Sequence, residues 1–598
     1  MFQSFAAGAD PTQGGPRLAR LRVAMAEAGL QGFLVPRADA HQGEYVAVRD
    51  ERLSWLTGFT GSAGFAVVLP GIAGVFIDGR YRVQVRAQVD LAAYTPVPWP
   101  ETQPGPWIAQ HLGAGVVGFD PWLHTADEIA RLEAALSGSG VTLRACANLV
   151  DAIWPDQPPP PQGRAFAHPD DMAGQSSAEK RAALAAGLRK AGVRAAVITL
   201  PDSLCWLLNI RGADVPRNPV LHGFALLSDD ARVTLFADPA KFDAATRAHL
   251  GDEVDLQPPA ALEAALRALT GPVLVDRATA PLAIWQLLEG AGIAVQTGDD
   301  PCRLPKACKT PAEIVATRTA HLRDGAAVVQ FLRWLDETHP TRPLTEIDAV
   351  TALEGFRRAT NALHDLSFDT ICGAGPHGAI IHYRVTEETN RPLGQDTLLL
   401  VDSGAQYRDG TTDITRTLPL GDPGDEARAC YTRVLQGLIA ISRCRFPKGL
   451  AGRDLDALAR APLWMAGLDY DHGTGHGVGA FLSVHEGPQR LSRLSDVPLQ
   501  PGMILSNEPG YYREGAFGIR LENLIVVTEA PPLGDNRAQL CFETLTFAPF
   551  DRRLIVTAML APGERVWIDA YHAEVLAKIG PLLDAATQDW LKAACAPL

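Results

Sequence analysis

The stretch TLLLVDSGAQYRDGTTDITRTLPL, Thr397 to Leu420, sets two aspartates, Asp402 and Asp413, on either side of the turn signal Asp409-Gly410. The aliphatic runs on both sides predict strands, and Asp-Gly between them predicts a hairpin. The midpoint of the two acids falls between Tyr407 and Arg408, which predicts that they are near neighbours across the ladder. Like charges at that range destabilise a sheet unless a cation lies between them. The run TLLLVD reads as a buried strand, and buried acids need partners.

The device recurs in NEPGYYREGAFGIRLEN, Asn507 to Asn523, where Glu508 and Glu522 are centred on Gly515. Arg520, two residues before Glu522, shares its strand face and is placed to neutralise or orient a carboxylate. Either pair alone reads equally well as solvated acids around a surface hairpin. Four carboxylates and one imidazole together make a ligand set for two hard or borderline divalent ions, with carboxylate bridges holding them about 3.5–4 Å apart.

The imidazole comes from DHGTGHGVGAFLSVHEGPQ, Asp471 to Gln489, which holds His472, His476 and His485. The i, i+4 spacing of His472 and His476 is that of two ligands on one helix face. Gly473, Gly475, Gly477 and Gly479 argue against it, each costing roughly 1 kcal/mol in a helix interior, so a turn or irregular strand is expected. Paired ions lower the pKa of a shared water and stabilise an oxyanion, which is the chemistry of hydrolysis. Histidines not used as ligands can donate hydrogen bonds to a tetrahedral intermediate.

At 598 residues the chain exceeds one hydrophobic core and predicts two to four domains. Hydrophobic residues are 47% and charged residues 20%, ordinary for a globular protein. With 54 basic and 68 acidic residues and no basic stripe, neither nucleic acid nor an anionic membrane is an expected partner. Nine scattered cysteines without a CxxC pair read as reduced thiols. The N-terminus shows no basic flank before an apolar core, and no apolar run approaches the ~20 residues of a membrane span, so a cytoplasmic location is expected.

The clearest internal break is WPDQPPPPQGR, Trp154 to Arg164, because a proline run favours extended geometry. Before it, LARLRVAMAEAGLQGFLVP reads as a helix entering a buried strand; after it, RAALAAGLRKAGVRAAVITLP repeats the pattern, and LSWLTGF at Leu53 recurs as LCWLLNI at Leu204. Two copies of one α/β domain are expected. Thr310 and Glu313 form a capping box, with Pro311 in the first turn, opening a helix to about Thr338. A second helix is expected from Thr345 with Ile347, Val350 and Leu353 inward. The resulting division is 1–155, 156–309, 310–535 and 536–598, the last a partly helical extension packing on the catalytic domain or a partner subunit.

In this order and these settings (LLVDSGAQYRDGTTDITRT, GTGHGVG, SNEPGYY, GIRLEN) the acids and histidine resemble the metallopeptidases of the pita-bread fold. GPHGAIIHYR and VHEGPQ narrow the resemblance to the long, three-domain Xaa-Pro aminopeptidases, or aminopeptidases P, over nearly the whole chain. It implies an α/β and α+β multidomain fold: two related creatinase-like α/β N-terminal domains, a pita-bread catalytic domain and a C-terminal extension. It implies that Asp402, Asp413, His476, Glu508 and Glu522 are metal ligands, with Asp413 and Glu522 bridging, and that the ions are two Mn2+, with Co2+ or Zn2+ as alternatives. It implies catalytic roles for Glu508 as proton acceptor, for His382 and His485 on the substrate carbonyl and for His472 in holding substrate. The substrates implied are peptides with proline at position 2, cleaved before the proline through a metal-activated water, and the implied assembly is a homodimer. His377 stands where related sequences often have asparagine, with no expected effect.

Four rival readings make different predictions. A binding protein on an inactive peptidase fold and a metal-free hydrolase of the creatinase type both predict missing acids, and all are present. A prolidase restricted to dipeptides, or a methionine aminopeptidase, predicts a smaller N-terminal half.

Overall fold

The first predicted helix is Pro11–Glu27, capped by the Asp10 side chain, and it enters the buried strand Gly32–Pro36. Its counterpart is Ser177–Lys190, opened by a capping box of Ser176 and Glu179, followed by Ala195–Ile198. The tryptophan pieces become the short helices Arg52–Thr57 and Pro201–Leu207. Arg17 lies over Trp55 at 4.6 Å and Lys180 over Trp206 at 4.5 Å, and each cation also donates to the carbonyl of its tryptophan. The two copies thus repeat a specific cation–π contact as well as a pattern of hydrophobicity.

The sheets complete the duplication. In spatial order the first runs Thr95–Pro98, Ala73–Ile77, Phe65–Val68, Gly32–Pro36, Gly115–Phe119, Val141–Ala145. The second runs Val254–Gln257, Val233–Phe236, Phe224–Ser228, Ala195–Ile198, Val273–Val275, Val295–Thr297. The succession of parallel and antiparallel pairings is the same in both. Between them, residues 155–165 form neither helix nor strand, as the proline run predicts.

This computed structural model describes residues 1–598 in two compact units: Gly8–Arg303, which holds both copies, and Leu304–Leu598 joined by Met1–Ala7. The seven N-terminal residues thus belong with the second unit, where Phe2 and Gln3 donate backbone N–H groups to Glu354 and Gln3 bonds both ways to Thr370.

In that second unit the helix Pro311–Thr338 starts at the expected capping box. The helix Glu346–Ala359 is capped by Thr345 and buries Val350 and Leu353, but Ile347 is only half-buried and Glu346 takes the inward position. The antiparallel set Ile371–Ala374, Thr397–Ser403, Ile414–Leu420 carries the first acidic pair. A six-stranded sheet, in the order Arg445–Pro447, Gln539–Thr544, Asn523–Glu529, Ile504–Asn507, Gly475–Gly477, Glu486–Leu491, carries the rest. Residues beyond 535 therefore supply a strand to this sheet before turning into the helices Pro562–Ile579 and Ala585–Ala594. Those helices pack on the same unit: Arg333 donates to Thr587 and Trp590 to Asp336.

Candidate active site

The five predicted ligand positions all lie in or beside strand ends. Asp402 closes Thr397–Ser403, Asp413 precedes Ile414–Leu420, His476 is central in Gly475–Gly477, Glu508 follows Ile504–Asn507 and Glu522 precedes Asn523–Glu529. The hairpin between the aspartates turns on Arg408 and Asp409, with Tyr407 opposite Gly410. Asp402 consequently faces Thr415, two residues beyond Asp413, so the acids are diagonal neighbours instead of directly opposed ones. The acids are near neighbours across the ladder as expected, and they are diagonal because the turn centres on Arg408 and Asp409, one residue beyond their midpoint. For the glutamates the expectation holds: Asn507 pairs with Asn523 and Gly510 with Arg520, which leaves Glu508 and Glu522 facing each other in the step between two ladders.

The glycine-rich segment is an irregular strand, as its composition predicts, with a register shift between His476 and Gly477. A Cβ on Gly475 would sit 1.9 Å from Ser506 O, and one on Gly477 2.3 Å from Glu486 O. The alternating glycines let neighbouring strands close on the backbone that presents His476. That imidazole donates from Nδ1 to Gly477 O at 2.9 Å, leaving the Nε2 lone pair outward. Nε2 lies 3.4 Å from Glu508 Oε1 and 3.5 Å from Asp413 Oδ2.

Around this core Thr415 donates to Glu522 Oε2 at 2.8 Å and Ser506 to Glu508 Oε1 at 3.0 Å. Arg520 grips Asp402 Oδ2 through Nε and Nη2 at 3.1 and 2.6 Å, and donates from Nη1 to Tyr512. Burial first, then Asp402 and Glu508, push Asp413 well above the usual carboxylate range. Burial, then Asp413 and Glu508, do the same to Glu522; burial also raises Glu508, against the pull of His476. Asp402 Oδ1, Asp413 Oδ1 and Glu522 Oε1 are buried and receive no hydrogen bond. Buried like charges with donorless oxygens beside an imidazole lone pair are a donor set that fits divalent cations, whose charge would reverse each of these shifts.

The histidines outside the ligand set divide. The His485 ring lies 4.2 Å from that of His476, and the His472 ring bonds Tyr512 through Nε2 at 2.9 Å, linking it to Arg520. His382 is half-buried on the segment after the turn Gly375–Ala379. His377 does not join them: its Nδ1 lies 2.9 Å from Glu346 Oε1, and its ring packs on Tyr383, which also donates to Glu346. Glu346 further accepts from Ala374 N, so this buried acid pins the loop that leads to His382.

Sequence reasoning missed three buried charged groups that hold the site from behind. Glu486, next to His485, is buried between Lys306 at 2.9 Å and Lys309. Asp324 accepts from Arg357 at 2.8 and 3.0 Å, from Tyr407 and from Thr412, which braces the hairpin between Asp402 and Asp413. Arg416 donates to the Glu522 carbonyl and to Ala548 O and Tyr571. The one available signal was the i, i+3 pair of lysines in LPKACKTP.

Comparisons with known proteins agree with this geometry. Residues 17–153 and 156–313 each match the creatinase/prolidase N-terminal domain, residues 316–529 the metallopeptidase family M24 model, and residues 538–598 the C-terminal region of peptidase M24. A probable Xaa-Pro aminopeptidase P of Neosartorya fischeri is 39% identical over 99% of this chain and 94% of its own. The crystal structure of an X-prolyl aminopeptidase from Caenorhabditis elegans, described as a cytosolic enzyme with a di-nuclear active site, superposes with a TM-score of 0.93 at 33% identity, covering 98% of this chain and 99% of that one. An Xaa-Pro dipeptidase from Bacillus anthracis, 25% identical with a TM-score of 0.51, matches over 99% of its length but only 63% of this chain. With two creatinase-type α/β domains, a pita-bread catalytic domain and a C-terminal region, the chain belongs to metallopeptidase family M24.

Proposed function

We propose that this protein is a metal-dependent aminopeptidase that removes the N-terminal residue from peptides whose second residue is proline. The observation that carries the reading is the convergence of Asp402, Asp413, His476, Glu508 and Glu522, with three buried carboxylate oxygens that lack any donor. Proline at position 2 is supported by full-length similarity to Xaa-Pro aminopeptidases; the Bacillus anthracis dipeptidase matches less than two thirds of this chain.

Two divalent ions, manganese as the first choice and cobalt or zinc as alternatives, would be held by Asp402, Asp413, His476, Glu508 and Glu522, and bound there they would acidify a water and polarise a carbonyl. The chain's own groups do the rest. Glu508, its Oε1 fixed by Ser506, accepts the proton of the attacking water. His485 and His382 donate to the scissile carbonyl oxygen as it gains charge. His472, tied to Tyr512, lines the substrate side, and Arg520 offsets the charge of Asp402 while fixing its orientation. Proline lacks the N–H that general proteases bind and restricts the chain, so a dedicated site is needed. A homodimer acting in the cytoplasm completes the proposal; the nematode relative is described as cytosolic, and light scattering tests the dimer.

The test is to offer Xaa-Pro-Pro, Xaa-Ala-Ala and Xaa-Pro in parallel to the manganese-loaded protein. Release of the first residue from Xaa-Pro-Pro alone supports the reading, whereas turnover confined to the dipeptide makes the protein a prolidase.

A further inference from the structure

Far along the chain from these residues, the unit Gly8–Arg303 holds a second convergence of metal-binding groups. A cavity of about 340 Å³ opens between the two α/β copies, lined by Asp39, His41 and Asp50 from the first copy and by His222, Phe224 and Lys241 from the second. One oxygen each of Asp39 and Asp50 and one ring nitrogen of His222 lie within 4.8 Å of one another.

The polar atoms here are not accounted for by hydrogen bonding. Asp39, only 2% exposed, accepts at Oδ1 from His41 N at 2.9 Å and Gly43 N at 3.2 Å, while its buried Oδ2 receives nothing. His222 Nε2 is buried and also unpartnered. The two atoms are 3.4 Å apart, longer than the ~2.9 Å of a formed N–H···O bond. Two ligands about 2.0–2.1 Å from one tetrahedral ion stand about 3.3 Å apart, which is this spacing. His476 shows the same relation to Glu508 and Asp413, at 3.4 and 3.5 Å.

No cation lies on Asp39 Oδ2 or His222 Nε2, although Arg52 holds one oxygen of Asp50 and Arg49 lines the cavity wall. Lys241 lies on Asp214 at 2.8 Å, and Arg52 spans Asp50 at 2.8 Å and both oxygens of Asp151. Burial, then the neighbouring His41, holds His222 down to about 3, so its imidazole is neutral at physiological pH.

We propose that Asp39, Asp50 and His222 form a third, non-catalytic site for a first-row divalent cation, which ties the two α/β copies together, with water in the cavity completing the coordination. The imidazole favours zinc or cobalt over calcium and magnesium. Because the site shares no residue with the catalytic cluster, it stands or falls independently of the peptidase reading.

The test counts ions in full-length protein stripped with chelator, reloaded with Co2+ and dialysed. Wild type should retain one more ion per chain than His222→Gln or Asp39→Asn, both of which keep peptidase activity. The catalytic double variant Asp413→Asn/Glu522→Gln should keep one ion. In that double variant, which leaves the proposed site intact, cobalt at a hundred times its dissociation constant should slow amide exchange around residues 36–44 and 220–224 by about a hundredfold. Equal counts in wild type and His222→Gln, or exchange in the double variant that ignores cobalt, would overturn the proposal.

Discussion

Replacing Glu486 by glutamine removes one charge and almost no volume, from a place where the structure makes charge matter. The carboxylate is fully buried between Lys306 and Lys309, whose side chains are buried as well. Removing one partner of a buried ion pair costs about 3–5 kcal/mol, because the other charge is left uncompensated. Here one substitution strands two ammonium groups, although Lys309 keeps a bond to Lys306 O at 2.9 Å and the glutamine carbonyl can still accept one. The expected cost is therefore in the upper part of that range, about 4 kcal/mol, a large share of the roughly 5–15 kcal/mol that holds a typical domain folded. Native-state hydrogen exchange on Ile504–Asn507, an interior strand of the same sheet, reads the cost: about 4 kcal/mol is about a thousandfold faster exchange through global opening. Activity should fall with it, because His485 is the preceding residue. The triple variant Lys306→Met/Lys309→Met/Glu486→Leu removes the charges together and should recover most of the loss. Exchange in Glu486→Gln within tenfold of wild type, or a triple variant as labile as the single, would refute the reasoning.

Asp413→Asn should lower activity by more than about a hundredfold, yet raise the melting temperature of the metal-free protein, since it relieves repulsion among buried acids; calorimetry with and without metal checks both signs. Arg520→Gln should cost roughly 10–100-fold in kcat/KM, with Arg520→Lys intermediate because it keeps the charge but not the two-pronged grip on Asp402. His572 is fully buried, accepts from Phe550 N, and is held by burial, Arg416 and Arg552 down to about 4, against roughly 6.5 unfolded. A base with a depressed folded pKa contributes its full stability above about pH 6.5 and loses it as pH falls toward 4, about 3 kcal/mol in all. The melting temperature of His572→Gln should accordingly fall less between pH 7 and pH 4 than that of wild type.

Much of this site is legible in the sequence because its chemistry sits at places that local rules describe. Asp402, Asp413, Glu508 and Glu522 flank turns marked by glycine, in aliphatic settings that exclude solvation, and the capping box at Thr310 marks the helix start to the residue. The register of the first hairpin was legible only to within one residue at the turn, since the Asp409-Gly410 signal lies one residue beyond the observed turn on Arg408 and Asp409. Buried charge was the other blind spot. Periodicity gives no sign that Glu346, Glu486, Asp324 and Arg357 are inside, although each is buried against a partner distant in sequence. The seven N-terminal residues carry no local pattern that would place them on Glu354 and Thr370.

The most direct test of the account is the release of the first residue from Xaa-Pro-Pro by chelator-stripped protein, before and after manganese is added, with Asp413→Asn treated alongside. The account predicts no turnover in the stripped protein, recovery on adding manganese, and no recovery in Asp413→Asn. Full activity in the stripped protein, or wild-type recovery by Asp413→Asn, would contradict it.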